Sequence, residues 1–342
     1  MRKLERARKN GAKFLNPVPT KLVGLEVIWK ALPLWLRNKA ETVPKVAPGP
    51  FRTAESIYLQ QAESGLRVTW FGHSATLVEI DGVRVLMDPM WDERAGPVRW
   101  AGPRRFFAPT LDLEKMPEVQ AVLISHDHYD HLGKETVEQL ARLMPKVRWV
   151  TALGVGRMLH QFGVRKEQIT ELDWTESTII NGGEQGIELR VTAVPTRHFS
   201  GRSVWGKERT LWVAFVLRGA RHRVFCGADS GMWDGFEAIG KEYGPFDLAM
   251  MEIGAYHELW KSIHLGPEGA ADAFLALGGG APQGLMMPIH WGLFDLALHG
   301  WREPIGRLME SKEGRGIAIF APEPGTPTEV VAGREVTSDW WR

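Results

Sequence analysis

The chain is poor in cysteine: Cys226 is the single thiol in 342 residues. That excludes an intramolecular disulfide and any multi-cysteine zinc site. It fits a reducing compartment, and a cytoplasmic location is expected. Also missing is an uncharged apolar run of about 18 residues or more, so no segment reads as a membrane-spanning helix. Net charge is nearly absent as well, +1 at pH 7. There is no internal repeat or low-complexity tract. What remains is 44% hydrophobic and 24% charged, with 37 Gly and 21 Pro. This composition is globular and excludes a disordered chain, a coiled coil and a collagen-like repeat.

The small net charge conceals an asymmetry. Residues 1–45 carry 11 basic against three acidic side chains, a net +8, while the remaining 31 basic and 38 acidic residues give −7. A basic leader suits an acidic partner such as an anionic membrane surface. Within it Leu22, Leu25, Ile28, Trp29, Leu32, Trp35 and Leu36 follow a helical spacing, with Pro33 as a kink. Glu26 and Lys30 interrupt the apolar stretch and no small-residue cleavage site follows, so a signal peptide is not expected. Two placements stay open for this segment: at the inner membrane surface, as Trp-bearing amphipathic helices beside Lys and Arg lie, or docked on the main domain. Residues 41–52 are Pro-rich (Pro44, Pro48, Pro50) and read as an extended linker. Two units are therefore expected, a leader and linker over 1–52 and a catalytic domain over 53–342.

The core starts at residue 66. Strands are expected over 66–71, 75–80 and 83–87, with Asp81-Gly82 as a hairpin turn. A short apolar strand over 119–124 precedes a helical pattern over 134–144. Further strands are expected at 189–194, 211–217, 224–226, 248–253 and 285–289, with a helix over 266–277. Hairpins early and strand–helix alternation later indicate a mixed α/β chain and disfavour a simple doubly wound sheet.

The chemistry concentrates in Ser125-His126-Asp127-His128-Tyr129-Asp130-His131, directly after a buried strand and before a helix. Four potential ligands within six residues cannot share one face of a helix, but a loop at a strand end lets them converge. Imidazoles with a carboxylate and no thiolate suit zinc, and iron or manganese as well. His198, Asp229 and His290 each follow an apolar strand, where open α/β architectures place their sites. Together these seven residues supply two sets of ligands.

This His-x-His-x-Asp-His pattern with later His198, Asp229 and His290 resembles the metallo-β-lactamase superfamily. The resemblance implies an αβ/βα sandwich of two mixed β-sheets flanked by helices, with a dinuclear site at one edge. It implies that His126, His128 and His198 hold one metal, that Asp130, His131 and His290 hold the other, and that Asp229 bridges them. Asp88, in Leu86-Met87-Asp88-Pro89, matches an early aspartate that supports the metal loop from behind. Collinear blocks narrow the match: Trp70-Phe71-Gly72-His73, Gly102-Pro103-Arg104-Arg105-Phe106, Glu171-Leu172-Asp173-Trp174, Gly244-Pro245-Phe246-Asp247-Leu248, Ile253-Gly254-Ala255-Tyr256 and His290-Trp291-Gly292. These, and Phe14-Leu15-Asn16-Pro17 in the leader, resemble the N-acylphosphatidylethanolamine-hydrolysing phospholipases D. The implied activity is a zinc-dependent phosphodiesterase that releases phosphatidic acid and an N-acylethanolamine at a membrane surface.

Two metals about 3.5–4 Å apart would acidify a shared water toward a pKa of about 7, giving a nucleophile without serine or cysteine. In that scheme Asp130 adds proton relay to ligation, and His264 contacts phosphate or the leaving group. His73, Tyr256 and Trp291 are expected at the substrate. The chain departs from the family pattern near the pocket mouth: the stretch from Tyr256 to His264 is short, Gly269 replaces a glutamate, and Glu252 replaces an apolar residue or proline. A lactonase or another ester hydrolase acting on a small soluble substrate is the rival activity. A nucleic-acid-processing role is not expected, because no large insertion or basic arm lies between His198 and His290. A homodimer is compatible with the sequence.

Overall fold

The computed structural model describes residues 3–22, 30, 33–34, 36–182, 186–202 and 206–342. It begins with a hairpin of β1 (Lys9–Asn10) and β2 (Lys13–Phe14). Phe14 is buried, its backbone N–H donates to the Glu208 carbonyl, and the Ala7 N–H donates to Asp173 Oδ1. The described start of the basic segment thus lies against the rest of the chain. The amphipathic pattern over 22–36 falls mainly on residues outside the described set, including Trp29 and Trp35; Leu34 and Leu36, which are described, are exposed. The Pro-rich stretch 41–52 has no regular structure but is anchored, with Thr42 Oγ1 on Asp295 and Phe51 buried.

Two mixed sheets form the body. In the first, β3 (Leu66–Trp70), β4 (Thr76–Ile80) and β5 (Val83–Met87) form an antiparallel meander. It continues in parallel through β6 (Ala121–Ile124), β7 (Arg148–Ala152) and β8 (Ile169–Leu172). In the second, β9 (Ser177–Asn181), β10 (Glu188–Val194), β11 (Ala214–Arg218) and β12 (Arg223–Cys226) are antiparallel. Then β13 (Leu248–Glu252) and β14 (Leu285–Ile289) add in parallel. Short β15 (Phe320–Ala321) pairs with β17 (Val336–Thr337), and β16 (Thr328–Glu329) extends the first sheet beside β3. Helices α1 (Lys134–Leu143), α2 (Gly156–Gln161), α3 (Gly235–Tyr243), α4 (Gly266–Leu277) and α5 (Glu303–Ser311) flank the sheets; α4 lies against α3, α5 and β13. This is the expected αβ/βα sandwich. No described helix is long and apolar enough to cross a membrane.

The β4–β5 turn shows why local sequence settles register. Asp81 (φ 48°) and Gly82 (φ 86°) both take left-handed backbone, as a two-residue hairpin with the right strand twist requires. Asp81 then reaches the other sheet, accepting from the backbone N–H groups of Arg221 and His222 and facing His222 Nδ1 at 2.8 Å. Between the sheets lies one continuous apolar core. On the opposite face of β4 the buried Glu79 carboxylate is neutralised by Arg67 and Arg84.

Parallel pairing in each sheet aligns carboxyl ends. Met87 sits opposite Leu123, and Glu252 opposite Ile289. Asp88, the 125–131 loop, Asp229 and His290 therefore leave their sheets at a common edge, which His198 joins after β10. One expectation is adjusted: the predicted strand over 211–217 starts at Ala214. Residues 211–213 carry no regular structure and are held by other contacts, with the Leu211 N–H on the Leu153 carbonyl and the Val213 N–H on the Ser125 carbonyl.

Candidate metal centre

Several residues at this edge carry unusual backbone. His73 (φ 54°), Asp88 (φ 40°), Ala228 (φ 48°), Ala255 (φ 54°) and His290 (φ 63°) all occupy the left-handed region, which side chains rarely adopt. Such conformations persist only where the surroundings over-determine them, and they concentrate at functional sites. Here the His73 N–H donates to the Trp291 carbonyl and the His290 N–H to the His73 carbonyl, so two of the strained turns brace each other.

The ligand-type side chains converge in two principal groups, and a third, Asp229, Glu252, His264 and His290, overlaps both; within each the ligand atoms lie within 4.8 Å of one another. The first holds His126, His128, His198 and Asp229. His126 Nε2 lies 2.9 Å from His128 Nδ1, and Asp229 Oδ2 is 3.8 and 3.5 Å from Nε2 of His126 and His198. The second holds His73, Asp130, His131 and His290. Asp229 offers it the other carboxylate oxygen: Oδ1 is 3.2 Å from His131 Nε2 and 3.1 Å from His290 Nε2. Asp130 Oδ2 stands 3.5 and 3.3 Å from the same two nitrogens. One oxygen of Asp229 thus faces each group.

Partners behind the ligands fix their orientation. Asp88 Oδ1 accepts the Ser125 N–H, and its Oδ2 accepts the Ser125 hydroxyl while lying 2.8 Å from His131 Nδ1. The Ser125 hydroxyl also lies 2.9 Å from His126 Nδ1. His198 Nδ1 faces the Ile263 carbonyl at 2.9 Å, and Asn16 Nδ2 donates to the His198 carbonyl. Asp127 accepts from the Gly201 N–H and from Thr210, tying down the strand-end loop.

Whether these residues fit divalent cations can be tested on their unmet valences. His131 Nε2, His290 Nε2 and Asp229 Oδ1 are buried and none has a hydrogen bond of good geometry, although Asp229 Oδ1 stands 3.2 and 3.1 Å from the two nitrogens. Orphaned buried polar atoms are costly, and these aim at one another across a gap a shared cation would fill. In the first group the histidine protonation also fits. Burial holds His126, His128 and His198 below the usual imidazole range, the neutral form that ligates metal. Burial opposes charge on Asp229 and Asp130, but the neighbouring histidines outweigh it and keep both well below the usual carboxylate range. At His131 and His290 the contest runs the other way: burial lowers their pKa values, but Asp229 and Asp130 outweigh it and raise both, His290 to about 10, so each must release a proton to ligate a cation. The donor set fits two cations.

Other expected contacts fall differently. His264 lies beside the ligands, its ring 5.1 Å from that of His198 and 5.4 Å from that of His290. Tyr256 lines a cavity of about 450 Å³ that opens at His264; its hydroxyl donates to Glu303 and its ring stacks on His299. The expectation that Trp291 meets substrate is corrected. Its indole is buried between Trp70 and Trp340 and donates to the Pro288 carbonyl, which makes it core. His73 is corrected as well: it is 1% exposed with Nε2 2.9 Å from Asp130 Oδ2, so it backs a ligand and does not line the cavity. Burial lowers its pKa to about 3. Sequence reading missed Ser125 as the link from Asp88 to His126, although it directly precedes the first histidine. It also missed the Glu268–Arg307–Glu303 ion pairs on the cavity wall, for which no local motif exists.

Residues 83–291 match the family model described as "Beta-lactamase superfamily domain". An uncharacterised protein of Mycobacterium tuberculosis is 39% identical over 98% of this chain and 87% of its own. The N-acyl-phosphatidylethanolamine-hydrolyzing phospholipase D 1 of Caenorhabditis elegans is 32% identical over 74% of this chain and 72% of its own. Among solved structures, a metallo hydrolase from Ignicoccus hospitalis superposes with a TM-score of 0.55 at 21% identity, covering 77% of this chain and 97% of the other. The chain therefore belongs to the metallo-β-lactamase superfamily, as a metal-dependent hydrolase.

Proposed function

We propose that the protein is a dinuclear zinc phosphodiesterase of the phospholipase D type, cleaving N-acylphosphatidylethanolamine-like phospholipids to phosphatidic acid and N-acylethanolamine. The observation that carries it is the split of Asp229 between two ligand groups. His126, His128 and His198 would hold one ion and Asp130, His131 and His290 the other. Two ions there would supply Lewis acidity toward a phosphoryl oxygen and acidify water. The chain's own residues do the rest. Asp88 and Ser125 orient the ligating imidazoles, Asp130 keeps a carboxylate between His73, His131 and His290, and His264 stands at the junction of ligands and cavity. The relative in Caenorhabditis elegans supports the substrate class.

The basic segment over 1–45 would bring this site to anionic lipid as a peripheral contact, with no role for nucleic acid. Each basic group near such a surface contributes about 1 kcal/mol, weakened by salt. Vesicle binding should then require anionic lipid, weaken with salt and fall when Trp29 and Trp35 become Ser.

A second activity has one observation in its favour. The cavity beside His264 is lined largely by polar side chains, among them Glu258, Lys261, Glu268, Glu303 and Arg307, which suits a small soluble ester or lactone. Parallel assays of the zinc-loaded protein on a matched phosphodiester, thioester and lactone separate the two. Phosphodiester cleavage with the others inert is the expected result; preferential lactone cleavage would overturn the phospholipase assignment.

A further inference from the structure

Glu252 closes the strand Leu-Ala-Met-Met-Glu, where the four preceding residues are apolar and buried. It is itself 1% exposed. A carboxylate in that position is costly unless its oxygens are hydrogen-bonded, and here both are. Oε1 accepts from the Ser230 N–H at 2.8 Å and the Leu265 N–H at 3.0 Å; Oε2 lies 2.7 Å from His264 Nδ1. Ser230 directly follows Asp229, the residue shared by the two ligand groups. One buried side chain therefore joins the Asp229 loop, the end of β13 and the segment that carries His264. It is not among the seven expected metal ligands, although its carboxylate lies within 4.8 Å of ligand atoms of Asp229, His264 and His290.

The consequence for His264 is geometric. With Nδ1 engaged by Glu252, Nε2 is the remaining polar atom of a ring set between His198, His290 and the cavity. An imidazole free to rotate would present either nitrogen or carbon to that space. A fixed Nδ1–H···carboxylate bond selects both the tautomer and the ring orientation, as outer partners do for ligating histidines. We propose that Glu252 is a positioning residue for His264: it accepts the Nδ1–H and so directs Nε2 toward the space where the cavity meets the metal-binding groups. A carboxylate placed to hold two backbone donors and one imidazole does more than fill the core, because a glutamine of the same shape would keep the backbone bonds but present Nδ1 with an N–H donor in place of an acceptor, reversing the imidazole bond and the tautomer it selects. The inference rests on the metal-dependent hydrolase assignment alone and needs no particular lipid.

The test uses full-length protein, apo and zinc-loaded, with ¹⁵N-labelled histidine and the His264 signals assigned by their absence in His264→Gln. Wild-type His264 is expected as the Nδ1–H tautomer in both forms, and Glu252→Gln should abolish that preference. On bis(p-nitrophenyl) phosphate, Glu252→Gln should keep the wild-type zinc content and KM while kcat falls about 10- to 100-fold. Glu252→Gln combined with His264→Ala should be no slower than His264→Ala alone. A wild-type Nε2–H tautomer overturns the proposal, and it is read without any variant of Glu252, so a misfolded Glu252→Gln protein leaves the test intact. Zinc loss in step with activity, or losses that multiply in the double variant, would equally overturn it by making Glu252 a structural support only. A protein inactive on every phosphodiester would sink the phospholipase assignment and leave the tautomer result to stand by itself.

Discussion

Asp88 Oδ2 lies 2.8 Å from His131 Nδ1, with both side chains fully buried, so the early aspartate and the last histidine of the ligand loop form one unit. Through Ser125 the same carboxylate reaches His126, a ligand-type residue of the other group. Asp88→Asn is the informative change, because asparagine tolerates the left-handed backbone at φ 40°. It should weaken zinc binding about 10- to 100-fold in a chelator competition while leaving the far-ultraviolet circular dichroism unchanged. Unaltered zinc affinity would remove Asp88 from the site's support.

Asp229→Ala should lower zinc content below that of the wild type and nearly abolish hydrolysis, since each ligand group loses an oxygen at once. Quantitative metal analysis on the folded variant checks it. Retention of both ions with activity intact would contradict the bridging role.

The sequence made most of the centre visible because ligand chemistry is dense and local. His126, His128, Asp130 and His131 stand within six residues, and strand ends alone located His198, Asp229 and His290. The hairpins were visible for a similar reason, since Asp81-Gly82 encodes its own turn. Strands β7, β8 and β9 were not. Ile169-Thr-Glu-Leu and Ser177-Thr-Ile-Ile-Asn are short and carry polar residues on half-exposed positions, so their pairing depends on neighbours distant in sequence. Trp291 was misjudged because proximity along the chain to His290 says nothing about which way an indole points. Its direction is set by Trp70 and Trp340, 221 and 49 residues away. Glu252 was visible as an anomaly in an apolar strand, but its partners Ser230 and His264 come from separate segments.

Metal removal should destabilise the fold, because the orphaned atoms of His131, His290 and Asp229 lose the cation that would satisfy them. A ligand at about 1,000 times its Kd stabilises by about 4 kcal/mol. Calorimetry before and after chelation should therefore show a lower Tm that zinc restores. An unchanged Tm would mean that the cluster holds no ion in the native protein.

Away from the site, Asp81 offers a pH test. Burial opposes its charge, but the N–H groups of Arg221 and His222 outweigh it and hold its pKa below the usual carboxylate value. A depressed folded-state pKa contributes stability that is present above the unfolded value, about 3.9, and lost as pH falls through the lower folded value. Asp81→Asn keeps the left-handed turn and should cost about 1.5 kcal/mol or more at neutral pH. That difference should shrink in denaturant titrations carried into the acid range. A difference that stays constant with pH would place the effect in the turn backbone and not in the carboxylate.

The most direct test of the account is the number of metal ions per chain. Elemental analysis of protein purified without chelator, run beside a phosphodiester assay, should find close to two equivalents of zinc, with activity rising as the second is loaded. A stable single equivalent with full activity would contradict it.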